Sequence, residues 1–281
     1  MKKLAVLGHP IGHTLSPVMH NASIKALGLD EEYHYSSLDV RPDELMVRLA
    51  QLPAEGYVGV NLTIPLKEVA FKGLGNLAAS ARILGAVNTV EFSRNGLVGH
   101  NTDGYGFLKA LEEAFGETVV DDRVFFLGCG GAGRAVALTA ALNGVKHLNL
   151  TDTDQGRVYS LRDEIKNLCP SVGVDCVTDK QSLIELSQSS SLVIQASPVG
   201  MKKDDPSLLP PEAFHKGQRV FDLIYMYPET AFLRTAKAAG AQIANGLGML
   251  LHQGAKAFNI WTGIEPDIGA MRKSLEKAVY S

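Results

Sequence analysis

Cysteine is scarce in this chain: Cys129, Cys169 and Cys176 are its whole supply in 281 residues. The number is odd and no pair has Cys-x-x-Cys spacing, which argues against a disulfide framework and for a reducing, cytoplasmic setting. Excess charge of one sign is missing too. Lys and Arg total 27 against 30 Asp and Glu, a formal net charge of −3. That balance gives no electrostatic reason to expect nucleic acid or a membrane as a partner. No apolar run approaches the length of a membrane span. The opening Met-Lys-Lys-Leu-Ala-Val-Leu has the look of a signal peptide, but its run stops at Gly8 with no cleavage site, so a first strand is expected. Repeats and low-complexity segments are absent. What is present is ordinary for a soluble globular protein, 46% hydrophobic and 20% charged residues, at a length that suggests two domains.

The clearest local pattern is Val124-Phe125-Phe126-Leu127-Gly128-Cys129-Gly130-Gly131-Ala132-Gly133. An apolar run breaks into glycines, and small apolar residues then continue at helical spacing to Leu142, with Gly144 as the stop. This is Gly-x-Gly-x-x-Gly in a strand–turn–helix setting, the form in which the motif binds a dinucleotide. Bare backbone at Gly128, Gly130 and Gly131, followed by Ala132, lets a pyrophosphate approach the N–H groups of the helix start. The next strand, His147 to Leu150, ends in Thr151-Asp152-Thr153-Asp154. Asp152 stands where an acid binds the ribose 2′-hydroxyl of NAD; the alternative is an acidic turn that caps the following helix. Arg157 leaves NADP open.

In the first third of the chain, a strand at Leu4 to Leu7 runs into a turn-rich segment holding Thr14, Ser16 and Pro17. Ser16 and Pro17 suit the cap and first turn of a helix, while Thr14 and Ser16 also offer two hydroxyls at the carboxyl end of a strand, where α/β proteins bind ligands. His9, His13 and His20 match no metal-site spacing and lack a carboxylate companion, so no metal is expected. Strands at Tyr33 to Leu38 and Tyr57 to Leu62 flank a helix at Pro42 to Leu52. Asn61, Asn88 and Asn101 each stand at a strand end, and amides both donate and accept, which suits a polyol. Later strands at Ser191 to Gln195 and Arg219 to Asp222 end in Ala196-Ser197-Pro198 and Leu223-Ile224-Tyr225.

Taken in chain order, these segments closely resemble the shikimate dehydrogenase family, including its quinate/shikimate members. The matching pieces are Gly8-His9-Pro10-Ile11 with Thr14, Ser16-Pro17 and His20-Asn21; Asn61-Leu62-Thr63-Ile64-Pro65-Leu66-Lys67; Gly85-Ala86-Val87-Asn88-Thr89; Asn101-Thr102-Asp103; the glycine loop; Ser197-Pro198 with Gly200-Met201; Asp222 with Tyr225; and Gly246 with Met249-Leu250 and Gln253-Gly254. The resemblance implies an α/β protein of two domains. An N-terminal substrate-binding domain with an open twisted sheet (1–104 and 241–281) would face a Rossmann-type NAD(P)-binding domain (105–240) across a cleft. It implies reversible hydride transfer between shikimate and 3-dehydroshikimate, with Lys67 and Asp103 as the catalytic pair. Thr14 and Ser16 would hold the substrate carboxylate, with Tyr225 near it. Asn61, Thr63, Asn88 and Gln253 would hold ring hydroxyls, and Ser197, Gly246 and Met249 would join the glycine loop at the cofactor.

Two departures from the family pattern bear on specificity. Thr14 stands where serine is usual, keeping the hydroxyl and adding a methyl. Thr151-Asp152-Thr153 replaces the Asn-Arg-Thr of biosynthetic members, which removes a phosphate partner and adds a carboxylate that repels a 2′-phosphate, so NAD is expected over NADP. The competing readings are an NAD-linked quinate dehydrogenase and a catalytically silent nucleotide or metabolite sensor, which would need no proton donor beside its ligand. The expected partners are a small-molecule substrate and the cofactor, in a monomer or homodimer.

Overall fold

The computed structural model describes residues 1–12, 14–94, 96–177 and 179–281. The chain divides into two compact units, Met1–Gly106 with Leu250–Val279 and Ser281, and Phe107–Met249 with Tyr280.

In the first unit, β1 (Lys2–Gly8) is apolar from Leu4 to Leu7 and is paired in parallel on both sides, with β2 (Tyr33–Asp39) and β3 (Tyr57–Leu62). A parallel strand is covered on both faces, so a continuous apolar run replaces alternation. Leu4 and Val6 pack with Ile24, Tyr35 and Phe258 on one face, while Ala5 and Leu7 pack with Leu45, Leu49 and Leu66 on the other. β4 (Thr89–Ser93) and β5 (Gly96–His100) add antiparallel strands, giving the order β2-β1-β3-β4-β5. The helix expected at Pro42 to Leu52 is shorter, Leu45–Gln51, and continues as a 3-10 turn at Leu52–Glu55. Its start is delayed because Glu44 and Leu45 donate their N–H groups three residues back, to Arg41 and Pro42, in turn geometry. Ser16 is not a cap: the helix is Ser16–Ala26, Leu15 precedes it, and no side chain caps it.

The second unit is a wholly parallel sheet of β6 (Arg123–Leu127), β7 (His147–Thr151), β8 (Gly173–Cys176), β9 (Leu192–Gln195), β10 (Arg219–Asp222) and β11 (Gln242–Asn245). The order β11-β10-β9-β6-β7-β8 is doubly wound, and its direction reverses between β6 and β9. In such sheets ligands bind outside the carboxyl ends of the strands at that reversal. β11 pairs with β10, so the boundary expected at residue 240 falls instead at Met249. Among the described residues, no helix is long and apolar enough to cross a membrane.

Candidate functional site

The carboxyl ends of β3 and β5 gather the polar residues of the first unit. Lys67 lies in the first turn of the helix Leu66–Gly73, which follows Pro65, and Asp103 opens the helix Asp103–Phe115. The Lys67 ammonium donates to Asp103 Oδ2 at 2.7 Å, and Asn88 Nδ2 donates to Asp103 Oδ1 at 2.8 Å. Both carboxylate oxygens are thereby oriented. The pair is neither buried nor free: the side chains are 29% and 14% exposed, leaving an ion pair open on one side. The Asn101 side-chain oxygen receives the Asp103 N–H at 2.9 Å and fixes the start of that helix. Gln253, on the helix Leu247–Thr262, accepts from Asn88 Nδ2 at 3.3 Å and so joins the cluster from a distant part of the chain.

Asn61 and Asn88 are themselves buried and committed to protein partners. Asn61 Nδ2 donates to the Asn88 carbonyl and to Thr89 Oγ1, both at 3.1 Å, and its Oδ1 accepts from the Tyr35 hydroxyl at 2.7 Å. An amide nitrogen carries two hydrogens, so both donors of Asn61 are spent on the protein, while its oxygen keeps a second lone pair. Asn88 Nδ2 faces three acceptors with two hydrogens, so a ligand oxygen can replace one of them. Thr14 and Ser16 form a hydroxyl pair, 3.4 Å between oxygens. Thr63 lies in the bend after β3, its N–H bonded to the Leu7 carbonyl at 2.9 Å. Tyr35, Thr89 and Thr102 belong to this network; Thr89 and Thr102 stand in the matched segments, whereas Tyr35 carries no signal beyond strand patterning.

The glycine loop of the second unit lies where the sheet order reverses. Gly128 has φ of +109°, and a Cβ there would stand 2.7 Å from the Ser197 N at the end of β9. A Cβ on Gly133 would meet the Gly128 carbonyl oxygen at 2.1 Å, so glycine is required for the helix to seat on the strand. Gly130 and Gly131 are different. A Cβ on Gly131 meets nothing within 4 Å, and one on Gly130 meets only the Arg157 guanidinium, at 3.8 Å. Open space beside bare N–H groups at the start of the helix Gly131–Leu142, in whose first turn Ala132 lies, fits a pyrophosphate. Asp152 does not cap the next helix; Asp154 does, receiving Gly156 and Arg157 N–H groups. Asp152 instead accepts the Cys129 N–H at 2.7 Å, which ties the loop to β7. Burial works against its charge, but N–H groups of Asp154 and Cys129, the Thr153 hydroxyl and nearby Arg157 hold its carboxyl below the usual aspartate value.

Tyr225, Ser197, Gly246 and Met249 all lie in the second unit. Burial pushes the Tyr225 phenol up, keeping it protonated. Gly246 is another forced glycine, since a Cβ would stand 2.0 Å from the Leu223 carbonyl oxygen. Of the three early histidines, His9 pairs with Asp39 at 2.6 Å, His20 is buried against Tyr35, and His13 lies outside the described residues. Among the described residues, no group of three or more His, Cys, Asp or Glu side chains is placed to hold a metal.

Residues 6–90 match the family model of the shikimate dehydrogenase substrate binding domain, and residues 246–276 match that of the shikimate 5'-dehydrogenase C-terminal domain. A curated shikimate dehydrogenase (NADP(+)) from Methanopyrus kandleri is 39% identical, over 97% of this chain and 94% of its own. The crystal structure of shikimate 5-dehydrogenase from Listeria monocytogenes, in complex with shikimate and NAD, superposes with a TM-score of 0.90 at 34% identity, covering 98% of this chain and 96% of that one. Quinate dehydrogenase from Corynebacterium glutamicum in complex with NAD gives 0.89 at 31% identity, covering 98% and 99%. These relatives support a nicotinamide dinucleotide as cofactor but no choice of NAD over NADP. The chain belongs to the shikimate dehydrogenase family.

Proposed function

We propose that this chain exchanges a hydride reversibly between shikimate and a nicotinamide dinucleotide, interconverting shikimate with 3-dehydroshikimate. The observation that carries the reading is the partly exposed Lys67–Asp103 ion pair, held by Asn88 and joined to Gln253. A nicotinamide dinucleotide, when bound, supplies or takes up the hydride, and Gly128, Gly130, Gly131 and Ala132 would hold its pyrophosphate. Reduction of a ketone places negative charge on its oxygen. The Lys67 ammonium, with one N–H on Asp103 and two more to offer, stabilises that charge and delivers a proton. Asp103 keeps the ammonium aimed and accepts a hydrogen bond from the reacting or neighbouring hydroxyl. In the reverse direction the Lys67 amine takes the alcohol proton. Thr14 and Ser16 donate to the carboxylate, while Thr63, Asn88 and Gln253 meet ring hydroxyls.

For the cofactor, the ionised Asp152 supports NAD. Its carboxylate accepts ribose hydroxyls and repels a 2′-phosphate, and the nearby Arg157 is engaged by Asp154 at 3.3 Å. This preference sets the chain apart from the Methanopyrus relative, whose name specifies NADP(+). An absorbance assay at the nicotinamide band, with shikimate and quinate each offered both cofactors, tests the reading. Turnover of shikimate, faster with NAD, is expected. Silence in every combination ends the reading in favour of a sensor, and turnover of quinate alone reassigns the substrate.

A further inference from the structure

The hydrogen bonds around Asn61 and Asn88 can run in only one direction. Asn88 Oδ1 accepts the backbone N–H of Thr102 at 2.8 Å, a group that only donates, so the other arm of this amide is the nitrogen facing Asp103. The Thr89 hydroxyl, 2.9 Å from the same Oδ1, must therefore spend its proton there and accept from Asn61 Nδ2. Asn61 is fixed independently, because its nitrogen also donates to the Asn88 carbonyl. Its oxygen then has to accept, and the donor is the Tyr35 hydroxyl at 2.7 Å.

Tyr35 reaches Asn61 across β1, since Leu4 pairs with Tyr35 and Val6 pairs with Asn61. Its ring is 1% exposed and stacks on His20 with centroids 4.1 Å apart and planes 7° from parallel. Burial pushes the phenol well above the usual tyrosine value, the Ser16 hydroxyl at its oxygen being the opposing influence. Thr14 Oγ1 lies beyond it, 3.4 Å from Ser16 Oγ. The outcome is a directed chain from Tyr35 through Asn61, Thr89 and Asn88 to Asp103, which also receives the Lys67 ammonium.

The geometry points to Tyr35 and Thr89 as positioning residues that orient the Asp103–Lys67 pair. The inference rests on the roles proposed above for Lys67 and Asp103. Chains of this kind polarise link by link, and a gap leaves buried donors and acceptors unmatched on either side of it. Neither residue touches the reacting atoms; both act through Asn88 and Asp103.

The experiment uses the full chain and three variants, Thr89→Val, Thr89→Ser and Tyr35→Phe. It reads kcat and KM for shikimate, together with hydrogen exchange of the Asn61 and Asn88 side-chain amides by NMR in the absence of ligand. Thr89→Val is expected to lower kcat by about tenfold with KM changed by less than about threefold, and Thr89→Ser to return kcat to within about twofold. Tyr35→Phe is expected to speed exchange at Asn88 as well as at its own partner Asn61, an effect that simple loss of packing at Tyr35 does not give. Unchanged kcat in Thr89→Val overturns the proposal, as does lost kcat without faster Asn88 exchange. If Tyr35→Phe does not fold, the Thr89 pair decides alone. If the parent chain does not turn over shikimate, the proposed roles fall separately, and Asn88 exchange in Thr89→Val still decides whether the chain of bonds exists.

Discussion

At the carboxyl ends of β3 and β5 the first unit gathers Lys67, Asn88 and Asp103, side chains tied to one another by hydrogen bonds of 2.7 to 2.8 Å. At the carboxyl end of β6 the second unit offers almost no side chain at all: Gly128, Gly130 and Gly131 leave backbone N–H groups bare, and Gly133 lets the helix close on the strand. The two sites suit different chemistries. A polyol needs donors and acceptors at several distinct places, which side chains supply, whereas a pyrophosphate is a compact charge that a helix start and bare backbone satisfy. The difference has a mutational signature. The first site is broken by removing a functional group, and the second by adding a methyl.

The largest effect is expected at Lys67. Lys67→Ala removes the proton donor and should lower kcat by about 10²- to 10⁴-fold while leaving the KM for the dinucleotide near its parent value. A turnover within about tenfold of the parent removes Lys67 from the chemistry.

A second contrast lies in one buried titratable group per unit. His20, in the first, is held down to about 3 by burial, and neither ring nitrogen has a hydrogen-bond partner among the described residues. Asp222, in the second, is pushed up to about 6 by burial, against the opposing bonds from Thr230 and the Ile224 N–H. Their signs are opposite. Folded His20 binds fewer protons than unfolded, so its contribution to stability is lost as pH falls from 6.5 toward 3. Folded Asp222 binds more, so its contribution is present below 3.8 and lost as pH rises through about 6. Between pH 4 and 6 each is worth about 1.4 kcal/mol per pH unit at most, and they oppose. Relative to the parent, His20→Phe should therefore tilt the stability–pH curve downward with rising pH, and Asp222→Asn should tilt it upward. Denaturant unfolding at several pH values measures both; two curves parallel to the parent's would remove burial as the cause.

Gly133→Ala sharpens the comparison from the other side. Its methyl would stand 2.1 Å from the Gly128 carbonyl oxygen, main chain that has no rotamer to yield. A loss of about 1–3 kcal/mol in stability is expected, with a raised KM for the dinucleotide. Shikimate affinity measured by calorimetry without cofactor should persist; its loss as well would show that the two sites are not independent. The smallest effect concerns Asp152. Asp152→Ser removes the carboxylate that repels a 2′-phosphate and should shift the ratio of kcat/KM for NADP over NAD upward by about tenfold. A parent that already favours NADP by that margin sinks the assignment.

How much of this was legible beforehand follows the range of the contacts. The run Val124 to Leu127, the glycines after it and the acid at Asp152 announced a dinucleotide loop, because strand, turn and helix start are neighbours in the chain. Lys67 and Asp103 were legible as members of a motif set, though nothing local says that they meet. Ser16 and Pro17 together point to a cap, yet Ser16 is the first residue of the helix and no side chain caps it. Asp152 leaves the helix cap to Asp154, which the sequence does not announce, since both acids stand in the same turn.

Local chemistry thus sufficed for the kind of sheet, the glycine turn and the residue types available for catalysis, since apolar periodicity and backbone freedom act over a few residues. It did not suffice for which polar groups would be spent on the protein itself. Gln253 reaches Asn88 from 165 residues away, and Tyr35 reaches Asn61 only because two parallel strands pair with β1 in that register. Strand register and burial decide which donor finds which acceptor, and those are properties of the packed sheet. The folded chain accordingly makes Asn61 a brace and Asn88 a hinge of the network, two residues that look alike in the sequence.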